Sequence, residues 1–200
     1  MKRLAALLSL ALAGCAGGEK FELRFAPAEG SRVRRTIEVE HVVLRTLDEY
    51  RKVGDGRPLL LRRTFEEAPG PFAGTSVVFT WVPEEGAYGK YYDARESVES
   101  ALRDLAEDLD LRSFLPARAV ALGDRWTSSA AGLRDVLGRE LGECTLTLAS
   151  VQGALATVDV ALPRAGRGTL VWDLSAKRAA SFSLPGVSWR IEDAAAQGQK

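Results

Sequence analysis

Histidine is scarce in this chain of 200 residues, which contains only His41. Zinc sites built on histidine and histidine-rich metal clusters therefore have no ligand set. No G-x-S-x-G stretch presents a serine nucleophile, and P-loop and dinucleotide-binding glycine patterns are also absent. We predict a protein that is not an enzyme and that uses no cofactor and no metal. Two carboxylates brought together from distant strands are the one catalytic arrangement left open.

The chain also lacks a charge imbalance and a long apolar run. It has 27 Lys and Arg residues against 27 Asp and Glu residues, with no long run of one sign. A nucleic-acid-binding protein needs a clustered basic face, so we predict no nucleic-acid partner. The apolar run at 4–13 is about half of the roughly 20 residues that a membrane-spanning helix needs.

That apolar run belongs to a signal-peptide pattern. Lys2 and Arg3 precede it, and it closes with small residues before Cys15. The stretch Leu-Ala-Gly-Cys at 12–15 resembles the lipobox of bacterial lipoproteins, in which an apolar residue and two small residues precede an obligatory cysteine. The alternative is an ordinary signal peptide with an incidental cysteine.

The resemblance implies that Cys15 carries the lipid. A diacylglyceryl group would join its sulfur as a thioether, and a fatty acyl chain such as palmitate would join the amine freed by cleavage. Several chains on one residue anchor a protein stably to a membrane. Ala16 stands where an aspartate would favour the inner membrane, so we expect the periplasmic face of the outer membrane. Loss of residues 1–14 leaves 25 basic against 27 acidic residues, a net charge near −2.

The second cysteine, Cys144, has no disulfide partner if Cys15 is modified. It alternates with threonine in CTLTLASV, in line with Leu146 and Leu148. We predict that Cys144 is a small buried hydrophobic residue rather than a reactive thiol.

Period-two alternation of apolar and polar residues dominates the chain after residue 20 and predicts strands. We interpret 31–47 as one unusually long strand with His41 on its apolar face. Pro185 and Gly186 are interpreted as a bulge or bend at which the apolar parity shifts. The patterns predict a mainly β (α+β) fold, with a curved antiparallel sheet or half-barrel of about eight or nine strands.

One amphipathic helix is predicted near 93–112. Asp93 and Glu96 form a capping-box pattern, and Pro116 bars continuation. A single apolar stripe follows from four residues: Val98, Leu102, Leu105 and Leu109. Three acids lie on the polar part of this helix: Asp104, Asp108 and Asp110. Because no calcium-loop glycine accompanies them, we interpret these acids as a solvated surface.

These features divide the chain into four parts. Residues 1–14 are the signal peptide and 15–20 the lipidated tether, followed by a single β-rich domain at 21–193. Residues 194–200 form a tail that we expect to fray. The five residues 16–20 reach at most about 17 Å, which keeps the domain close to the membrane.

The stretch Gly123-Asp124-Arg125-Trp126 predicts a corner before a strand. Asp124 can hold the turn through backbone amides while Trp126 covers the sheet edge. The stretch resembles a corner of uncharacterised bacterial lipoproteins. Stacking of Trp126 on a ligand is the alternative.

Aromatic residues on apolar strand faces are the candidate ligand site. They are Phe79, Trp81, Trp172, Phe182 and Trp189. A sheet curved around them could enclose a lipid or other amphiphile, with the 93–112 helix as a lid, whereas simple filling of the core is the alternative. Together with a lipid anchor, this arrangement resembles the half-barrel carriers of lipids and lipoproteins in bacterial envelopes.

We therefore expect a membrane-anchored, non-catalytic envelope lipoprotein that binds or carries an amphiphile. The alternative is a structural or assembly lipoprotein that docks on another envelope protein. The expected partners are the membrane, through the anchor, and either a lipid or an envelope protein.

Overall fold

The computed structural model describes residues 18–93, 107–130, 133 and 142–194. In this part of the chain the fold is mainly β. The strands are β1 (Lys20–Phe21), β2 (Arg32–Val39), β3 (Val42–Gly54), β4 (Arg57–Glu67), β5 (Ser76–Val82), β6 (Ala87–Asp93), β7 (Val120–Ala121), β8 (Arg125–Ser129), β9 (Glu143–Gln152), β10 (Leu155–Leu162), β11 (Gly166–Asp173), β12 (Arg178–Leu184) and β13 (Val187–Asp193). Short 3-10 helices lie at Gly70–Phe72 and Arg112–Phe114.

Eleven strands form one antiparallel sheet in the order β6-β5-β4-β3-β2-β13-β12-β11-β10-β9-β8. Two meanders, β2–β6 and β8–β13, are joined because β13 pairs with β2. β1 pairs separately with β7. The sheet is open, since no ladder joins β6 to β8 in the described ranges.

The prediction of a curved antiparallel sheet is confirmed, but the expected number of strands is too small. The long strand expected at 31–47 is a hairpin, β2–β3, with Glu40 in the left-handed region at φ 54°. His41 therefore lies exposed in a turn and not on an apolar strand face. Glu40 is not a typical turn residue, and apolar alternation continues across it, so the pattern concealed the turn.

The bulge or bend expected within one strand at Pro185 and Gly186 is a turn between two strands. These residues connect β12 to β13, and Gly186 adopts φ 75°, which glycine tolerates without strain. The change of apolar parity therefore marks the start of a new strand. True register shifts occur elsewhere, between Thr157 and Val158 and between Val171 and Trp172, where bulges bend the sheet.

The helix predicted near 93–112 is not seen in the part of that range that the structure describes. Residues 94–106 lie outside the described ranges, and Asp93 is the last residue of β6. Residues 107–111 are irregular, and Leu111 adopts φ 57°. Asp108 accepts hydrogen bonds from the backbone amides of Arg112 and Ser113, both 3.0 Å long. These bonds favour the separate 3-10 turn that follows rather than a continuing helix.

Residues 107–115, here called the crossing segment, run across the buried face of the sheet. Arg63 of β4 donates to the carbonyl of Glu107, and Trp126 of β8 donates to the carbonyl of Phe114. β4 and β8 are eight positions apart in the sheet order, about 38 Å if the sheet were flat. Fully extended, 107–114 would reach only about 25 Å, and strand side chains stand roughly perpendicular to the sheet, so those of Arg63 and Trp126 add little to this span. The sheet must therefore curve around this segment, and we call its buried side the concave face.

The described ranges end at Ala194 on the C-terminal side. Ala194 still donates to the carbonyl of Arg32, and residues 195–200 lie outside the description. At the N-terminal end only Lys20–Phe21 is a strand, while Leu23 and Phe25 are buried in the core.

Candidate binding site

The five aromatic residues of the predicted pocket lie in two separate groups. The first pair is on β5, where the Phe79 and Trp81 rings lie 6.4 and 5.1 Å from the ring of Tyr88. Phe79 is fully buried, whereas Trp81 is half-buried beneath the guanidinium of Arg57, 4.2 Å from its ring centroid. Strands β4, β3 and β2 separate this pair from the other three residues.

The second group lies on β11–β13 and is fully buried. Phe182 pairs with Trp189 across the β12–β13 ladder, with ring centroids 6.4 Å apart. Phe114 of the crossing segment packs edge-on against Phe182 at 5.7 Å. Trp172 and Trp189 each bury an indole N–H that has no hydrogen-bond acceptor. Buried indoles usually find an acceptor, so two orphaned donors mark this aromatic group as unusual.

A buried ionic cluster occupies the neighbouring strands of the same face, and sequence reasoning missed it. Asp48 of β3 lies directly opposite Arg63 of β4 and diagonally from Arg35 of β2. Its carboxylate oxygens accept bonds of 2.8 and 3.0 Å from Arg63, and Arg35 Nη1 lies 2.6 Å from Asp48 Oδ2. All three side chains are fully buried.

The crossing segment completes this cluster through Asp110. Its Oδ1 accepts hydrogen bonds from Arg35 Nη2 and from the hydroxyl of Tyr50. Asp110 is 1% exposed and Asp108 only 9%. The prediction that these acids form a solvated surface is therefore wrong for both, because their segment turns inward instead of continuing as an exposed helix. Asp104 lies outside the described residues.

Opposite charges in the cluster determine its electrostatics. Burial disfavours the charged form of Arg35, but the carboxylates of Asp110 and Asp48 outweigh this cost and raise the pKa of Arg35 well above its usual value. Burial likewise disfavours ionised Asp48, yet Arg35 and Arg63 lower the pKa of Asp48. Burial is the main reason that the pKa of Tyr50 is raised, so its hydroxyl remains a donor.

Several polar atoms in the cluster are not satisfied. Buried atoms without a hydrogen-bond partner are Arg35 Nε, Arg35 Nη1, Thr46 Oγ1 and Asp110 Oδ2. Arg35 Nη1 is close enough to Asp48 for an ion pair but lacks hydrogen-bond geometry. Because an unpaired buried polar atom is costly, these four atoms reduce the stability that the cluster contributes.

A sequence signal for this cluster existed. Arg35 lies between buried Val33 and Ile37 in alternation, and Arg63 lies between buried Leu61 and Phe65. A charged residue at the apolar parity of consecutive strands predicts a buried charge. The partners could not be found this way, because the pairing register of three strands decides which charges meet.

The corner at 123–126 forms as predicted. Gly123 adopts φ 84°, and Asp124 Oδ2 accepts the backbone N–H of Ala121 at 2.9 Å. Trp126 is half-buried on edge strand β8, and its Nε1 donates to the carbonyl of Phe114 at 2.8 Å. Trp126 therefore holds the crossing segment to the sheet edge as well as covering it.

Cys144 is buried, as predicted. It is 1% exposed, and its thiol donates to the carbonyl of Ser128 at 3.2 Å. Burial raises the pKa of Cys144, which keeps the thiol protonated and unreactive.

A polar groove of about 610 Å³ lies on the opposite, outer face of β8–β11. Its floor includes one cross-strand row, Arg125, Thr147, Asp159 and Thr169. Arg125 and Asp159 are exposed. No residue of the predicted aromatic pocket lines this groove.

Cys15 lies outside the described residues. In the ranges that the structure describes, no helix is both long and apolar enough to cross a membrane. Searches of protein-family models, curated proteins and solved structures found no match to this chain.

Proposed function

We propose that this chain is a membrane-anchored bacterial envelope lipoprotein that binds an amphiphile against the concave face of its sheet. The observation that carries this proposal is the aromatic group on β11–β13. Trp172 and Trp189 present two buried N–H donors without acceptors in an otherwise apolar surface. Apolar surface with a few convergent donors is the usual composition of a site for a molecule with a polar and an apolar part.

The position of Gly18 indicates which part of the domain would lie next to an anchor at Cys15. β1 pairs with β7, and a Cβ atom built on Gly18 would lie 3.7 Å from that of Ala121. Cys15 precedes Gly18 by three residues, a reach of about 11 Å at most. The corner next to Ala121 carries Leu122, which is 57% exposed. This corner would therefore face the membrane, which we propose to be the outer membrane on its periplasmic side.

The ionic cluster supports a binding role rather than catalysis. Its charged groups are paired with one another and buried beneath the crossing segment. A general acid or base works best when its pKa lies near neutral pH, whereas the pKa values of Arg35 and Tyr50 are raised and that of Asp48 is lowered. We therefore propose that the protein is not an enzyme.

The anchor is tested by metabolic labelling with a fatty-acid probe in a bacterial host. The wild-type chain should take up label and lose residues 1–14, whereas Cys15→Ala should remain an unlabelled precursor. Cys144→Ala is the matched control and should be labelled like the wild type. A wild-type chain without label would refute the proposed anchor.

Amphiphile binding is tested by native mass spectrometry of the full chain as the host processes it. We expect a non-covalent lipid mass that is reduced in Trp189→Phe, which keeps an aromatic ring but removes the N–H. Trp81→Phe, outside the second aromatic group, should retain the lipid. Absence of any lipid adduct in the wild type, also after incubation with host lipid extract, would refute binding.

The alternative function, docking on another envelope protein, is favoured by one observation. Tyr91 is 69% exposed on β6, an edge strand with an unpaired side in the described sheet. Edge strands with exposed apolar residues are sites for pairing with another chain. A photo-crosslinker at position 91 that captures one envelope protein, in a chain without lipid adducts, would favour this function over amphiphile binding.

A further inference from the structure

The strands alone leave the ionic cluster with an excess positive charge. β2 and β4 contribute the cations Arg35 and Arg63, whereas β3 contributes one anion, Asp48. The second anion, Asp110, comes from the crossing segment. An uncompensated buried charge is strongly destabilising, so the sheet needs an anion at this position whatever its source.

Asp110 supplies this negative charge, but some hydrogen-bonding atoms of Asp110 and Arg35 remain unpaired. One carboxylate oxygen, Oδ1, accepts both Arg35 Nη2 and the Tyr50 hydroxyl. The other oxygen, Oδ2, is buried without a partner, and Arg35 Nε is also unpaired. An anionic group that is not attached to the chain can bring three oxygens or take another orientation. It could therefore also accept from donors that Asp110 leaves unpaired, such as Arg35 Nε.

The strand ladders of the sheet do not depend on the crossing segment. In the described residues, no backbone-to-backbone hydrogen bond joins 107–115 to any strand. The segment is attached by side chains, including those of Arg63, Trp126 and Ser128, each of which donates to a carbonyl of the segment. Its departure would leave every strand ladder intact.

The register connects the anion position to the aromatic group. Arg35 lies opposite Ile191 of β13, and two residues along, Ile37 lies opposite Trp189. Trp189 in turn lies opposite Phe182. An apolar chain attached to a head group at Arg35 would therefore lie along Ile37, Trp189 and Phe182 on the same face.

We propose that Asp110 occupies the position of an anionic head group, and that the amphiphile bound by this protein carries a carboxylate or phosphate that pairs with Arg35 and Tyr50. This inference rests on the proposed amphiphile binding and specifies the ligand class. Asp110 is then an internal competitor: the ligand binds when the crossing segment withdraws and its carboxylate is replaced. The apparent affinity for the ligand is low because the segment has withdrawn in only a small fraction of the molecules.

The test compares laurate with dodecyl maltoside, which has an apolar chain of the same length and an uncharged head. The full chain, as the host processes it, is exposed to equal concentrations of both amphiphiles, and adducts are measured by native mass spectrometry. In Asp110→Asn the competing charge is removed, so we expect laurate binding to increase over the wild type about tenfold more than maltoside binding does. Glu66→Gln, which removes one charge from the exposed pair with Arg34, should bind like the wild type.

A double variant tests whether the increase in laurate binding comes from pairing with Arg35 or only from a crossing segment that is held less tightly. Arg35→Gln with Asp110→Asn removes both members of the pair, so its preference for laurate should be lost. If Asp110→Asn is unfolded in maltoside alone, laurate should restore its melting transition, because it supplies the missing anion. Failure of laurate to restore it would overturn the inference.

The remaining outcomes distinguish the two proposals. Equal binding of laurate and maltoside by Asp110→Asn would overturn the head-group inference but leave amphiphile binding in place. Absence of both adducts from a folded Asp110→Asn would overturn both. Increased laurate binding that persists in the double variant would also exclude Arg35 as the partner of the head group.

Discussion

The β2–β4 region and the β11–β13 region occupy the same face of one sheet and fill it in opposite ways. On β2–β4, cross-strand pairs bury the charges of Arg35, Asp48 and Arg63. On β11–β13, Trp172, Phe182 and Trp189 fill the corresponding space with rings. Both regions retain buried polar atoms without partners. Apolar residues flank the charges on β2–β4 as well, so this face has one half that contains a buried ionic cluster, here called the polar half, and one half that is apolar.

The two halves should respond very differently to conservative substitution. Rings tolerate replacement by similar rings, because dispersion and burial depend on volume rather than on one contact. Buried charges do not, since removal of one partner leaves the other without compensation. The following predictions test this contrast in order of decreasing effect.

Asp48→Asn should cause the largest loss. The substitution preserves shape but leaves Arg35 and Arg63 with Asp110 as their only anion in the described cluster, at a cost of about 3–5 kcal/mol. Urea unfolding of the full chain measures the change. Glu66→Gln is the control and should cost about 1 kcal/mol or less, because its partner Arg34 is exposed. Similar losses in the two variants would show that burial of the cluster contributes little.

Trp126→Ala should have the next largest effect. The side chain is half-buried and donates one hydrogen bond to the crossing segment. We expect a loss of about 2–3 kcal/mol, below the 3–5 kcal/mol typical of a fully buried tryptophan. Thermal melting measures it, with Trp126→Phe as a comparison that removes mainly the hydrogen bond. A variant that melts like the wild type would mean that Trp126 does not hold the corner.

Acid should weaken the polar half selectively. The pKa of Asp48 is lowered in the folded state, so its contribution to stability is present above its unfolded pKa of about 4 and is lost as the pH falls through the lower folded value. Unfolding free energies measured from pH 6 to pH 2 should therefore decline for the wild type. The decline should be smaller in Asp48→Asn. Parallel pH profiles would contradict the assigned pKa direction.

Trp189→Phe should cause the smallest loss of stability. The substitution reduces ring volume but also removes a buried N–H that has no acceptor, so the two effects partly offset each other. We expect a change of less than about 1.5 kcal/mol in urea unfolding. A loss as large as that of Asp48→Asn would show that the aromatic half is as intolerant of substitution as the charged half.

Short sequence patterns predicted correctly the structural features that depend on one or two neighbouring residues. Alternation predicted the buried side of β9 at Cys144, and Gly123 with Asp124 predicted the corner. The hairpin at Glu40 was missed because a residue with no preference for turns adopts the left-handed conformation there. The burial of Asp110 was not predicted because the apolar stripe that ends at Leu109 indicated a helix with Asp110 on its exposed side. The chain is irregular at 107–111 and turns inward there instead.

Two-residue alternation and short motifs were enough to predict the β class and the buried side of strands such as β9, and they also predict a lipid anchor at Cys15, which lies outside the described residues. These features follow from the two-residue period of a strand and from short motifs, both of which are local. Only the tertiary structure decided that Arg35, Asp48 and Arg63 would meet, because strand register brings together residues distant in the chain. It also decided that Asp110 completes their charge, since the irregular residues 107–111 can be positioned only by the curved sheet that they cross.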